Sequence, residues 1–234
     1  MNLSTINIFI GYDTRERVAA NILQDSLLVN SSLPISITNL ITSQLENKKL
    51  YYRKRETKQS TDFSFTRFLV PYLMNYQGWA IFMDCDMLCR ADISKLWEQR
   101  DEAYSVMCVK HNHIPNESKK FLNEIQSSYE KKNWSSLMMF NCKKCKKLDL
   151  NYVNQQSGLN LHRFKWLEND NEIGEISGGW NHLVDVESNE KAEESPLLHW
   201  TLGGPWFESQ STMGGKLAAL WFKARYQAMK FYDY

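Results

Sequence analysis

The stretch Trp79-Ala80-Ile81-Phe82-Met83-Asp84-Cys85-Asp86-Met87 constrains this chain most. Its first five residues are apolar and uncharged, which suits a strand buried on both faces. The run then stops at two carboxylates separated by one residue. Side chains at i and i+2 point to the same side of an extended chain, so Asp84 and Asp86 project together where a core strand leaves its sheet. In open α/β sheets, ligands bind beyond the carboxyl ends of the strands. Two acidic oxygens there disfavour an anion and suit a hard divalent cation, which can hold phosphate oxygens on its other side. A solvated turn after a strand has the same sequence, and a bare D-x-D does not separate the two readings.

The 234 residues allow one good-sized domain with a sizeable core. A net charge of +1 gives no broad electrostatic footprint for nucleic acid. The 8 Trp and 11 Tyr offer flat amphipathic faces that suit sugar rings and equally fill cores. Met1 to Thr5 lacks a basic segment, and Ile6–Ile10 is too short for the apolar part of a signal peptide. No run reaches the length of a membrane span, so a cytoplasmic location is the expectation. The 5 Cys are an odd number. Cys142 and Cys145 lack the second ligand pair that a zinc site needs, and reduced thiols are expected.

In chain order, Ile6–Ile10 reads as the first strand, ended by Gly11-Tyr12-Asp13. Thr14 can cap a helix over Arg17–Val29, and Leu33–Ile37 reads as a second strand. A β-α-β opening of this kind predicts a parallel sheet. Residues 43–61 read as a polar surface loop in which Arg53-Lys54-Arg55 can meet an anion or simply face solvent. Phe63–Tyr76 has a helical apolar face, with Pro71 as the residue expected to kink or divide it. Arg67 is a lone charge on that face and needs an anionic partner, either Asp84 or a ligand phosphate. Asp92 can cap a helix over Ile93–Gln99, and Tyr104–Val109 and Ser136–Asn141 read as strands. Asn116–Lys132 reads as a polar helical excursion, Val153–Trp166 as a helix, Gly178–Asn181 as a turn and Ser188–Ser195 as an acidic loop. His199 follows a short apolar strand and precedes Gly203-Gly204, whose amides can approach oxyanions closely. A core histidine beside a glycine turn has the same pattern. Lys216–Phe231 reads as a helix whose main role is packing. Its Trp221, Phe222, Tyr226 and Phe231, interleaved with basic residues, also permit peripheral contact with a membrane surface. No linker or repeat divides the chain.

Taken in order, these pieces resemble glycosyltransferase family 8, the class that includes glycogenin and the bacterial lipopolysaccharide galactosyltransferases. The resemblance rests on Gly11-Tyr12-Asp13, Phe65-Thr66-Arg67-Phe68-Leu69-Val70-Pro71, and Asp84-Cys85-Asp86. It continues in Asn133 to Asn141, similar to the family's N-x-G strand, and in His199 with Gly203-Gly204-Pro205-Trp206, similar to its H-x-x-G-x-x-K-P-W. It implies a single α/β domain of GT-A type with a Rossmann-like, mostly parallel central sheet flanked by helices and a C-terminal helix. Residues 1–110 would form the nucleotide-binding half, 111–215 the sugar and acceptor half, and 216–231 the terminal helix. The resemblance further implies Mn2+ or Mg2+ on Asp84, Asp86 and His199. A nucleotide sugar, first of all a UDP-sugar, would lie beside Tyr12, Asp13, Arg67, Gly203 and Gly204. Gln155-Gln156-Ser157-Gly158-Leu159-Asn160 is similar to the family's D-Q-x-x-L-N and puts Gln156 under the anomeric carbon. The acceptor would be a glycan, a lipid-linked sugar or a small molecule.

Two residues depart from the family pattern. Gly204 stands where the family has a phosphate-binding lysine, and Gln155 stands where it has an aspartate. Together they suggest a distinct bacterial subgroup with another acceptor. The chemistry implied is metal-assisted departure of a nucleoside diphosphate, with retention through a front-face attack aided by Gln156, since no carboxylate nucleophile stands at the matching position. Asp86 and Arg67 complete the catalytic set. The rivals are a sugar-binding protein on a degenerate fold of this type and a metal-dependent nucleotidyltransferase or phosphatase, which would need more clustered carboxylates.

Overall fold

The computed structural model describes residues 5–56, 59–111 and 130–230. Strand β1 (Ile6–Gly11) is buried at every position but Asn7, as a strand covered on both faces must be. It pairs in parallel with β2 (Ile35–Leu40) on one side and β3 (Trp79–Asp84) on the other. Helix α1 (Arg17–Val29) makes the crossover and buries Ala19, Ala20, Ile22, Leu23 and Leu27. Burial alternates along β2, in keeping with its place at the sheet edge. Gly11 closes β1 without a side chain because the Phe63 ring occupies the space a Cβ would take, 2.3 Å away.

Beyond β3 the sheet continues through β6 (Leu137–Asn141), β5 (Val106–Cys108) and β7 (Ile173–Glu175), in the order β2-β1-β3-β6-β5-β7. Three of its five pairings are parallel, and β6 runs antiparallel to both neighbours. The main core lies on the two faces of this sheet. A second sheet joins β4 (Met87–Cys89), β9 (Leu197–His199) and β8 (His182–Leu183) in the order β4-β9-β8. Over it sits a smaller apolar cluster that includes Leu88, Leu198, Trp200, Leu217, Trp221 and Ile22 of α1. Helix α7 (Lys216–Ala228) is thereby fastened to α1 through Leu217, Ala218 and Trp221, while Phe222, Tyr226 and Met229 face solvent. The packing role expected of the tail is met. Its helix stops at Ala228, and Phe231 lies outside the described residues.

Several elements differ from their sequence-based expectation, each for a local reason. Asp13, not Thr14, supplies the cap before α1, its carboxylate accepting from Arg15 N. The loop at 43–61 contains a short helix, α2 (Thr42–Asn47). The segment 63–76 is a 3-10 turn at Thr66–Leu69 followed by one turn of helix, α3 (Val70–Leu73). Pro71 stands in the first turn of α3, where its missing N–H costs nothing. The helix near 93–99 shortens to α4 (Ser94–Trp97). Residues 150–162 form two helices, α5 (Leu150–Gln155) and α6 (Gly158–His162). The chain extends between them at Gln156-Ser157, and Ser157 caps the second. Most of the excursion expected at 116–132 lies outside the described residues.

Candidate active site

Asp84 ends β3, Cys85-Asp86 form a turn, and β4 begins at Met87. β4 pairs antiparallel with β9, which sets Met87 opposite His199, and Trp200 N donates to Asp86 O at 3.0 Å. This register brings the His199 ring to Asp86, with Nε2 3.2 Å from Oδ1. Asp84, Asp86 and His199 each contribute one ligand atom to a group lying within 4.8 Å of one another. His199 Nδ1 donates to Asn181 Oδ1 at 2.8 Å, which turns Nε2 toward Asp86. Nε2 and Asp86 Oδ1 are both buried without a hydrogen-bond partner. A carboxylate oxygen and an imidazole nitrogen turned toward each other in a dry site make a place for a cation, a proton or a metal ion. One imidazole with two carboxylates is a donor set that Mn2+ and Mg2+ accept. The residues fit a divalent ion.

Arg67 is buried beside the first aspartate. Its Nη1 lies 2.9 Å from Asp84 Oδ1 and donates to Ser135 O at 2.7 Å. The guanidinium carbon stands 5.2 Å from the Phe63 ring centroid and 4.9 Å from that of Phe82. Asp84 is thus an anionic partner of this lone cation, one of the two alternatives the sequence left open. Behind the site Glu16 is buried, and Cys85 Sγ approaches its Oε2 at 3.7 Å. Burial, reinforced by the charges of Asp86 and Asp13, pushes the Glu16 carboxyl well above its usual range. Burial likewise raises the Cys85 thiol.

The sequence profile of glycosyl transferase family 8 matches residues 16–207. The chain belongs to glycosyl transferase family 8. By that membership it is a glycosyltransferase. It is 45% identical over 207 residues to the protein CDI of Arabidopsis thaliana, covering 86% of this chain and 80% of that protein. That relative is a plant protein, so the expected bacterial subgroup finds no support. Among solved structures, the chain resembles the galactosyltransferase LgtC in complex with donor and acceptor sugar analogs. The TM-score is 0.58 at 8% identity, over 97% of this chain and 98% of that one. It also resembles the glycosyltransferase GlyE of Streptococcus pneumoniae, with a TM-score of 0.60 at 13% identity over 95% of this chain. The chain spans 60% of GlyE. These likenesses bear out the α/β architecture of GT-A type expected from the sequence.

Other family 8 positions fall as follows. A cleft of about 290 Å³ opens beside Tyr12, lined also by Thr14, Ser43, Tyr51, Arg55 and Asp62. Asp13 does not line it. Its fully buried carboxylate accepts from Arg15 N, Nε and Nη2 and from Asp62 N. Burial works against this charge, but the Arg15 and Asp62 donors outweigh it and hold the carboxyl below its usual value. Arg53 is no solvated member of a basic loop. Its guanidinium lies 4.1 Å from the Phe65 ring centroid and donates to the carbonyls of Val153 and Gln156. It therefore holds the extended break that carries Gln156, whose Oε1 accepts from Asn160 Nδ2 at 3.1 Å. Arg55 pairs with Asp62 at the cleft. Gly203 has a φ of +95°, and Gly204 is covered by Trp206, whose ring would stand 2.2 Å from any Cβ. Position 204 therefore has no room for a side chain while the Trp206 indole stays in place. Sequence reading missed Asn181, His111, Glu187 and Arg53 as parts of the site. His111 follows an apolar strand and Asn181 closes a glycine turn, and that was their only signal.

Proposed function

We propose that the protein transfers a hexose from a nucleotide sugar, first of all a UDP-sugar, to a glycan, lipid-linked or small-molecule acceptor with retention of configuration. The observation that carries this reading is the buried pair Asp86 Oδ1 and His199 Nε2, facing each other beside Asp84. Mn2+ or Mg2+ bound there supplies a Lewis acid for the departing diphosphate. Asp84, Asp86 and His199 would be its ligands. Arg67 orients the Asp84 carboxylate at the end of β3 and borders the donor. Tyr12 and the cleft beside it receive the nucleoside, with Asp13 bracing the cleft wall through Arg15 and Asp62 instead of touching the donor itself. The turn at Gly203-Gly204 offers backbone amides to the diphosphate in place of a lysine. Gln156, held by Arg53 and Asn160, provides the amide beside the anomeric carbon. Most of the rate enhancement in such a site comes from positioning and preorganised charge. Residues 1–110 serve as the nucleotide half and 111–215 as the sugar and acceptor half.

The test is release of nucleoside diphosphate from a panel of nucleotide sugars, each with Mn2+ and with chelator. The expected result is metal-dependent release from one of them, UDP-hexoses first. Absence of release and of any thermal shift across the panel contradicts the reading. Proton NMR of the glycoside formed reports whether the anomeric configuration is retained.

A further inference from the structure

The histidine of the metal site is the last member of a chain of buried polar groups. His199 Nδ1 meets Asn181 Oδ1 at 2.8 Å. Asn181 Nδ2 lies 3.0 Å from His111 Nε2 and 2.9 Å from Ser136 Oγ. His111 Nδ1 lies 3.0 Å from Glu187 Oε1, and Glu187 Oε2 accepts from Leu183 N at 3.0 Å. Asn181 and His199 are each 1% exposed and His111 8%.

The direction of every bond follows from the two ends of this chain. A carboxylate only accepts, so His111 Nδ1 carries a proton toward Glu187, and in the neutral ring His111 Nε2 is then a lone pair. Asn181 must turn its NH2 to that lone pair. The Ser136 hydroxyl enforces the same choice, because its own proton goes to Asn133 O at 2.6 Å and its oxygen is left to accept. The Asn181 carbonyl then faces His199, Nδ1 takes the proton, and Nε2 is presented to Asp86 as a lone pair. Metal-ligating histidines are oriented through the hydrogen bond of their other nitrogen. Here that control reaches two residues further, to a half-exposed glutamate.

We propose that Asn181, His111 and Glu187 are positioning residues for the metal site: they lock His199 in the tautomer that can ligate. The inference rests on the metal-site reading above. Neither Asn181 nor Glu187 need touch the metal or the substrate, and each acts through the next.

The test uses the full chain labelled with 15N-histidine and two readouts. The tautomer of His199 is read by NMR without metal, and Mn2+ affinity is read by calorimetry. Asn181 has a φ of +75°, so Gly and Asp are the replacements that keep its backbone unstrained. Asn181→Gly removes the acceptor and should weaken Mn2+ binding about 10- to 100-fold. Asn181→Asp keeps an oxygen on Nδ1–H and should keep the His199 tautomer, although its second oxygen replaces the NH2 that faces His111 and Ser136. Glu187→Gln places a donor against either His111 or Leu183 N. It should disturb the His199 nitrogen pattern and weaken Mn2+ about tenfold with the fold intact. The proposal is overturned if wild-type protein binds Mn2+ while Asn181→Gly and Glu187→Gln bind it equally well with an unchanged tautomer. It is also overturned if Asn181→Asp changes the His199 tautomer as much as Asn181→Gly does, which marks a merely structural role. Failure of wild-type protein to bind Mn2+ overturns the metal-site reading itself, and this proposal with it.

Discussion

Asp86 Oδ1 and His199 Nε2 stand 3.2 Å apart although 113 positions separate the two residues in the chain. Their approach is a consequence of strand pairing. β4 starts directly after Asp86, β9 ends at His199, and the antiparallel register sets Met87 opposite His199. The apolar cluster of Leu88, Leu198, Trp200 and Trp221 fixes that small sheet. Packing energy is in this way converted into the position of two ligand atoms.

Arg67 is expected to act on the site through geometry more than through charge. Lysine keeps the charge but loses the planar guanidinium that lies beside the Phe63 and Phe82 rings, so Arg67→Lys no longer holds one nitrogen on both Asp84 and Ser135 O. Leaving one buried group without its partner costs about 1–3 kcal/mol. For a chain of this size that lowers the melting temperature by about 2–12 °C. Calorimetry and steady-state kinetics on Arg67→Lys should show both the lower melting temperature and a reduced kcat/KM. No change in either contradicts the role.

Glu16 makes stability depend on pH. Its carboxyl is raised above the ordinary value of 4.5 by burial and by the charges of Asp86 and Asp13. Between that value and the raised one, the folded chain keeps a proton that the unfolded chain releases. This contribution is therefore fully present below 4.5 and is lost as pH rises through the folded value. Glu16→Gln removes the effect. Denaturant unfolding in chelator from about pH 5 to about pH 8 should show the wild type losing stability relative to the variant as pH rises. Parallel curves would contradict it.

Much of the fold was legible because its decisive segments are local. The apolar run before Asp84, the alternation in Ile6–Ile10 and the amphipathic spacing of Arg17–Val29 each specify one element. The i, i+2 carboxylates pointed to the Asp84, Asp86 and His199 cluster, and the lone Arg67 pointed to a buried anionic partner. The internal geometry was not legible where a single residue changes the outcome of a period. Pro71 divides its segment, as expected, by standing in the first turn of a new helix, whereas Gln156-Ser157 divides what reads as one helix into two. Contacts between distant segments left no trace either. Nothing near His111 in the sequence points to Asn181 or Glu187, and the basic loop gave no sign that Arg53 is buried against Phe65.

Gly204 is held by its neighbour. Its missing Cβ leaves room for the Trp206 ring, which packs against Trp200 and Trp221. Gly204→Ala forces that indole to move and should cost about 1–3 kcal/mol. Urea unfolding checks this, and full stability in the variant would contradict the packing account.

The absence of a lysine at the same turn has a consequence for ligand binding. A charge-assisted hydrogen bond is about twice as strong as a neutral one, and glycine offers only an amide. UDP binding should therefore depend strongly on the divalent ion. Calorimetry of UDP with Mn2+ and with chelator should show affinity falling sharply without metal. Equal affinities would mean that another cation holds the phosphates.

The central claim is that His199 and the two aspartates share one divalent ion. Pulsed electron paramagnetic resonance of Mn2+ on protein labelled with 15N-histidine reads the ligand directly. The account predicts a 15N hyperfine coupling in the wild type, its loss in His199→Ala, and loss of both Mn2+ binding and sugar transfer in Asp86→Ala. A Mn2+ signal without histidine nitrogen coupling, or full transfer by Asp86→Ala, would contradict it.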